Sequence, residues 1–155
     1  MMGLILVVNL HGQINSSAPV RKALNELWVA KKFSASVVTD DGPTVGMLRR
    51  CKDYVAWCPV DEVLLSDLLK KRGMVSAAKS LDEGTLKELG YKKHEDLAAK
   101  MIKEQLRLSA VEGILPYFRL APPKGGFKQS MRRQATERGV LGNNPELLGI
   151  VRRMI

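Results

Sequence analysis

Cysteine and histidine are scarce in this sequence. Cys51 and Cys58 are its two cysteines, and His11 and His94 its two histidines. No Cys-x-x-Cys pair is present, and no histidine stands near the cysteines. A zinc site needs about four ligands at closer spacing, so no metal site is expected. Two free thiols suit a reducing cytosol. Long apolar runs are missing as well. None approaches the roughly 18 residues of a membrane-spanning helix. The apolar start is brief and lacks a basic leader, so it reads as a strand and not as a signal peptide. No membrane partner is expected.

Catalytic constellations are also wanting. There is no Gly-x-Gly-x-x-Gly and no phosphate loop ending in Gly-Lys-Ser/Thr, and Lys124-Gly125-Gly126 resembles neither. Asp40-Asp41 and Asp61-Glu62 are adjacent acids, but each sits where a turn or helix cap calls for one. Neither histidine has a nucleophile arrangement beside it in sequence. The expectation is a protein that is not an enzyme, with no cofactor and no small-molecule substrate.

What is abundant is positive charge. The formal net charge is +9. Residues 116–155 hold 8 Lys/Arg against 2 Asp/Glu, so most of the excess lies in the last quarter of the chain. Self-repulsion of that size is relieved by a polyanion, and nucleic acid is the commonest one. An anionic membrane surface is the competing partner, and a merely solvated basic surface the plainer explanation.

Periodicity gives the organisation. Leu4–Leu10 reads as a central strand buried on both faces. Ser17 caps a helix with Pro19 in its first turn, and Val20, Ala23, Leu24, Leu27 and Trp28 form its apolar face. Lys31-Lys32 is read as the charged C-terminus of that helix. Ser36–Thr39 is a second strand. A short helix after the Asp40–Pro43 turn turns Met47, Leu48 and Cys51 inward and Arg49, Arg50 and Lys52 outward. Tyr54–Trp57 is a third strand, and a helix capped by Asp61 carries Leu64, Leu65, Leu68 and Leu69. This order predicts an α/β (α+β) fold: a ferredoxin-like β-α-β-α-β sandwich core over residues 1–73, its sheet covered by helices on one side. Residues 74–155 form a mostly helical C-terminal extension ending in a basic loop and short helix. Within it Met74–Ser80 reads as a linker, His94 as exposed, Glu95–Leu108 as a helix with Glu104 near Arg107, and Met131–Gly139 as loosely patterned.

The basic segment 119–139 is the candidate nucleic-acid site. Lys124, Lys128, Arg132, Arg133 and Arg138 are interleaved with Gly125, Gly126 and Phe127. Glycines let amides approach phosphates, Arg and Lys supply charge and forked donors, and Phe127 can stack on an unpaired base. With few apolar residues and four breakers, the segment has no evident core of its own and should be mobile in the free protein. Arg49, Arg50 and Lys52 are a weaker basic group.

Three stretches resemble a known family. One is the strand, loop and helix of residues 4–30. Another runs from Val37-Val38-Thr39-Asp40-Asp41-Gly42-Pro43-Thr44-Val45-Gly46-Met47-Leu48 into Lys52-Asp53-Tyr54-Val55-Ala56-Trp57. The third is Phe118-Arg119-Leu120-Ala121-Pro122-Pro123-Lys124-Gly125-Gly126. Together they resemble the archaeal branch of the L-thirty family of large-subunit ribosomal proteins, whose eukaryotic relative is called L-seven. Asp41-Gly42-Pro43 departs from the family's usual Asp-Thr-Pro turn. The bacterial form matches only the first half, so residues 74–155 resemble the archaeal and eukaryotic extension. The resemblance implies a cytoplasmic, ribosome-bound structural protein. It also implies docking on large-subunit ribosomal RNA, a position near the small RNA of that subunit, and neighbouring ribosomal proteins. Arg119, which opens the basic segment, and the loop at His11-Gly12 are further candidate RNA contacts. The rival readings are a ferredoxin-like small-ligand-binding or acyl-phosphate-hydrolysing domain, and a free RNA chaperone or DNA-compacting protein.

Overall fold

The first strand, β1 (Leu4–Asn9), has no polar face. Leu4, Leu6 and Val8 point to one side and Ile5 and Val7 to the other, and all are buried. A strand of this kind belongs in the middle of a sheet with a layer on each side. The computed structural model, which describes residues 3–155, places it there. It pairs antiparallel with β2 (Ser34–Thr39), Leu4 opposite Thr39, and with β3 (Val55–Pro59), Ile5 opposite Pro59. Outside these three lie β6 (Phe118–Arg119), antiparallel to β2, and β8 (Gly139–Asn143), parallel to β3. β7 (Ser130–Gln134) pairs with β8 in an irregular register. The sheet order is β6-β2-β1-β3-β8-β7.

Helices cover both faces. On one, α1 (Ala18–Glu26) and α2 (Gly42–Arg50) bring Ala23, Leu24 and Leu48 against Ile5, Val7, Val38 and Val55. On the other, α3 (Glu62–Arg72), α5 (His94–Glu104) and α6 (Leu147–Met154) pack Leu64, Leu68, Met101 and Val151 against Leu4, Leu6, Val8 and Val37. The α+β, ferredoxin-like fold class read from the sequence is the observed one. Coverage from one side alone is corrected, because the apolar side chains of alternate β1 residues need a second layer and the C-terminal helices help supply it. Cys51 and Cys58 are both free and buried, one in each layer. Burial pushes their thiols up to about 11 and about 12.

Several local expectations also change. Met74–Ser80 is no linker but a small hairpin of β4 (Met74–Ser76) and β5 (Lys79–Ser80), followed by a short helix, α4 (Glu83–Glu88). The loosely patterned stretch after Met131 contains β7, and the buried Val140 and Leu141 of β8 follow. Alternation over so few residues, broken in β8 by glycines, hides both strands, and the β3 partner of β8 is remote in sequence. α1 ends at Glu26, so Trp28 leaves the helix face and stands 47% exposed. Lys31-Lys32 lies beyond the helix, where the Lys31 carbonyl accepts bonds from Ser34. His94 is buried, with Nε2 bonded to the Leu81 carbonyl at 2.9 Å.

Arg107 does not face Glu104. α5 ends in a left-handed Gln105, which redirects the chain. The Arg107 guanidinium then reaches Asp41 Oδ2 at 2.6 Å and donates to the Thr39 and Thr44 hydroxyls. Asp41 also caps α2 by accepting from the Thr44 amide at 2.9 Å. Hydrogen bonds from Thr44, through hydroxyl and amide, then from Thr39 and Arg107, hold its carboxyl well below the usual carboxylate range, against a smaller opposing effect of burial. One carboxylate thus joins the start of α2 to the segment after α5.

Leu24→Ala should lower stability by about 2–5 kcal/mol through lost burial and a cavity. Neutralising Arg49 and Arg50, both exposed, should change it by no more than about 0.5 kcal/mol. Denaturant unfolding of the two variants checks this, and equal losses would show the helix faces to be wrongly assigned. Asp41→Asn should be less stable at neutral pH by on the order of 1 kcal/mol. Because the folded carboxyl titrates below the unfolded one, its contribution is complete above the unfolded value of about 4 and fades as pH falls below it. The gap between wild type and variant should therefore shrink in acid, and a gap constant from pH 7 to about 2.5 would remove this role from Asp41.

Candidate nucleic-acid interface

The cations that are neighbours in sequence separate in space. Arg119 lies on β6, at one edge of the sheet, and Arg132 and Arg133 lie on β7, at the other. The glycine-rich stretch runs between them along the end of α6. Ala121 N–H bonds to the Met154 carbonyl at 3.1 Å and Lys124 N–H to the Arg153 carbonyl at 3.1 Å. Arg153 Nη1 donates in return to the carbonyls of Lys124, at 3.2 Å, and Gly126, at 2.8 Å. Gly125 and Gly126 both have left-handed backbone, φ +79° and +71°, which L side chains rarely adopt. The side chains of Lys124 and Lys128 are left exposed. The expectation that this segment has nothing of its own to hold it is corrected: one arginine of the last helix gathers its carbonyls.

At the β7 edge, Arg132 and Arg133 face solvent while Met131 and Gln134 are half-buried. Gln134 Nε2 donates to the Lys52 carbonyl at 3.0 Å and to Asp53 Oδ1 at 3.2 Å. His11 Nε2 donates to the Met131 carbonyl. Lys52 and His11 are thus brought beside Arg132 and Arg133, and exposed Arg49 and Arg50 end the helix just before Lys52. Arg138 follows a 3-10 turn, exposed and in left-handed backbone. Gly12 is buried, its amide bonded to Asn9 Oδ1 at 2.8 Å and its carbonyl to Asn9 Nδ2 at 3.3 Å, so its polar groups serve the loop.

The β6 edge holds residues that sequence reasoning, Arg119 apart, passes over. A groove of about 610 Å³ opens there, lined by Trp28, Lys31, Lys32, Phe33, Tyr117 and Arg119 among others. Lys32 Nζ sits 5.1 Å from the Phe33 ring centre, and Arg119 Cζ sits 5.9 Å from that of Tyr117. Phe127 does not stand free. It is half-buried and stacks on Phe33, with ring centres 6.4 Å apart and planes at 21°. Helical spacing assigns Trp28 to a helix face and Lys31-Lys32 to a helix end, and so hides the groove. A signal is present all the same, since two aromatics and two lysines fall between Trp28 and Phe33 with no apolar period to absorb them.

None of Arg119, Lys124, Lys128, Arg132, Arg133 and Arg138 is in an ion pair among the described residues. Exposed, unpaired cations beside left-handed glycines and open aromatic rings suit a phosphate-bearing partner. No group of three or more His, Cys, Asp or Glu that could hold a metal occurs among the described residues, and no helix is long and apolar enough to cross a membrane.

No family model matches the chain. Individual proteins do. It is 36% identical over 155 residues to the large ribosomal subunit protein uL30 of Nitrosopumilus maritimus, covering all of both chains. It is 37% identical to that of Thermofilum pendens, covering 99% of this chain and all of the relative, and 37% identical to that of Cenarchaeum symbiosum over the whole of both. These relatives carry the name of a large ribosomal subunit protein and not of an enzyme. Identity of this degree, sustained from end to end, makes the chain a member of the uL30 family of large-subunit ribosomal proteins.

Proposed function

We propose that this chain is a structural constituent of the large subunit of an archaeal, cytoplasmic ribosome and that it docks on ribosomal RNA through its basic and glycine-rich segments. Residues 1–73 act as the ribosomal-protein core, and residues 74–155 as the extension carrying the RNA-binding segment 119–139. The observation that supports this reading best is the row of six exposed cations from Arg119 to Arg138, none of them in an ion pair among the described residues. They border a loop whose glycines keep the backbone low. Phosphates approaching that loop meet Lys124 and Lys128 over α6, then Arg132, Arg133 and Arg138 at the β7 edge, with Arg49, Arg50 and Lys52 beside them. Arg153 is a positioning residue, since its guanidinium is spent on the carbonyls of Lys124 and Gly126.

Neutralising Lys124, Lys128, Arg132 and Arg133 together to Gln should leave the fold intact and weaken binding to large-subunit RNA. The slope of log affinity against log salt should fall by about one for each phosphate that is no longer neutralised. A quadruple variant with unchanged affinity and slope, still entering the subunit, would show these four to be ordinary solvated side chains. Arg153→Ala should raise hydrogen exchange at the Gly126 amide, which bonds to the Pro123 carbonyl at 3.0 Å, while β1 amides stay protected. Unchanged exchange at Gly126 would deny Arg153 its clamping role.

A further inference from the structure

The groove at the β6 edge is built at a position where stability gives no reason for its main residue. α1 ends in two reversed backbone bonds: Trp28 N–H to the Asn25 carbonyl at 3.1 Å, and Val29 N–H to the Leu24 carbonyl at 3.0 Å. This ending puts Trp28 in left-handed backbone, φ +61°. Glycine usually fills that place, because an L side chain is disfavoured there. Leu27 and Val29 on either side are buried, but Trp28 itself stays 47% exposed. Phe33, across the groove, is also left-handed at φ +61°. Two bulky aromatics held in a disfavoured conformation around one opening point to a site shaped for contact with something else.

The lining defines that partner. Trp28, Phe33 and Tyr117 offer ring faces and edges, while Lys31, Lys32 and Arg119 offer cations, and no carboxylate lines the opening. The volume is that of a small-ligand cleft. A paired RNA helix keeps its bases stacked inside and shows the protein phosphates and 2′-hydroxyls, which make no use of three rings. An unpaired nucleotide has both a free base face and a phosphate, which this groove matches together. A protein segment would need acidic groups to balance the three cations.

We propose that the groove receives unpaired nucleotides of the RNA on which the chain docks, with a base stacked on Trp28 and flanking phosphates held by Lys31, Lys32 and Arg119. The proposal rests on the RNA-docking reading above and adds a preference that the dispersed cations cannot supply: looped-out over paired RNA.

Trp28→Gly separates binding from folding, since glycine suits the backbone at that position. The full-length chain and its variants would be titrated against two RNA hairpins of equal length closed by the same tetraloop, one with a fully paired stem and one carrying an unpaired adenosine loop in its stem. Wild type should favour the interrupted hairpin by about tenfold or more, the equivalent of one stacked base. Trp28→Gly should melt no lower than wild type, lose that preference and bind the paired hairpin as before. Tyr117→Leu should lose it in part. In a Trp57→Phe background, single-stranded oligoadenosine should quench the remaining tryptophan and the paired hairpin should not. If Trp28→Gly keeps the full preference, or wild type shows none while still binding both hairpins, the nucleotide groove is refuted and RNA docking stands. If wild type binds neither hairpin nor large-subunit RNA, the docking reading itself fails and takes the groove with it.

Discussion

A strand with apolar side chains on both faces cannot lie at a surface. Once β1 carries Leu4, Leu6 and Val8 on one side and Ile5 and Val7 on the other, two helical layers and two flanking strands are required of the rest of the chain. The first half supplies β2, β3 and one complete layer, α1 with α2. It supplies only α3 for the other. The deficit is met by α5 and α6, which is why residues of the C-terminal half lie in the same apolar cluster as Leu4 and Leu6. The Asp41–Arg107 pair fixes the two contributions at a second point.

Charge has to be accommodated around this core. The excess near the C-terminus is spread across the sheet from β6 to β7, with the loop between them drawn onto α6 by Arg153. That arrangement lowers repulsion by distance and by directing one cation at backbone carbonyls. It also leaves two surfaces of different chemistry. The β7 edge is cationic and tied to the loops at His11 and Lys52, while the β6 edge combines cations with open rings.

Strong periodicity is readable in the amino-acid order, and weak or remote signals are not. β1, α1 through α3 and the helix near Glu95 are legible because long apolar patterns leave few alternatives. β8 escapes because its partners on the β3 side, Ala56 and Trp57, are more than half the chain away, and its glycines erase alternation. Its φ of +81° makes Gly142 suitable, and a side chain there would run into Gln134 Oε1, a constraint with no local trace. The basic segment is legible as composition, but its division between two sheet edges depends on sheet order, which composition does not contain. Trp28 is misplaced by its spacing from Leu24, which fits a helix that in fact has already ended.

The strand order has a kinetic side. β2, β1 and β3 come from the first 59 residues, but the strands that close their outer edges, β6 and β8, begin at Phe118 and Gly139. During synthesis both flanks of the early three-stranded sheet, together with the part of the cover of β1 that α6 provides, wait for the last third of the polypeptide. Open strand edges and bare apolar faces are the features that let unfinished chains stick to one another. Completion of this protein is therefore a late event, and chains broken off before residue 139 keep an adhesive border that the finished molecule does not have.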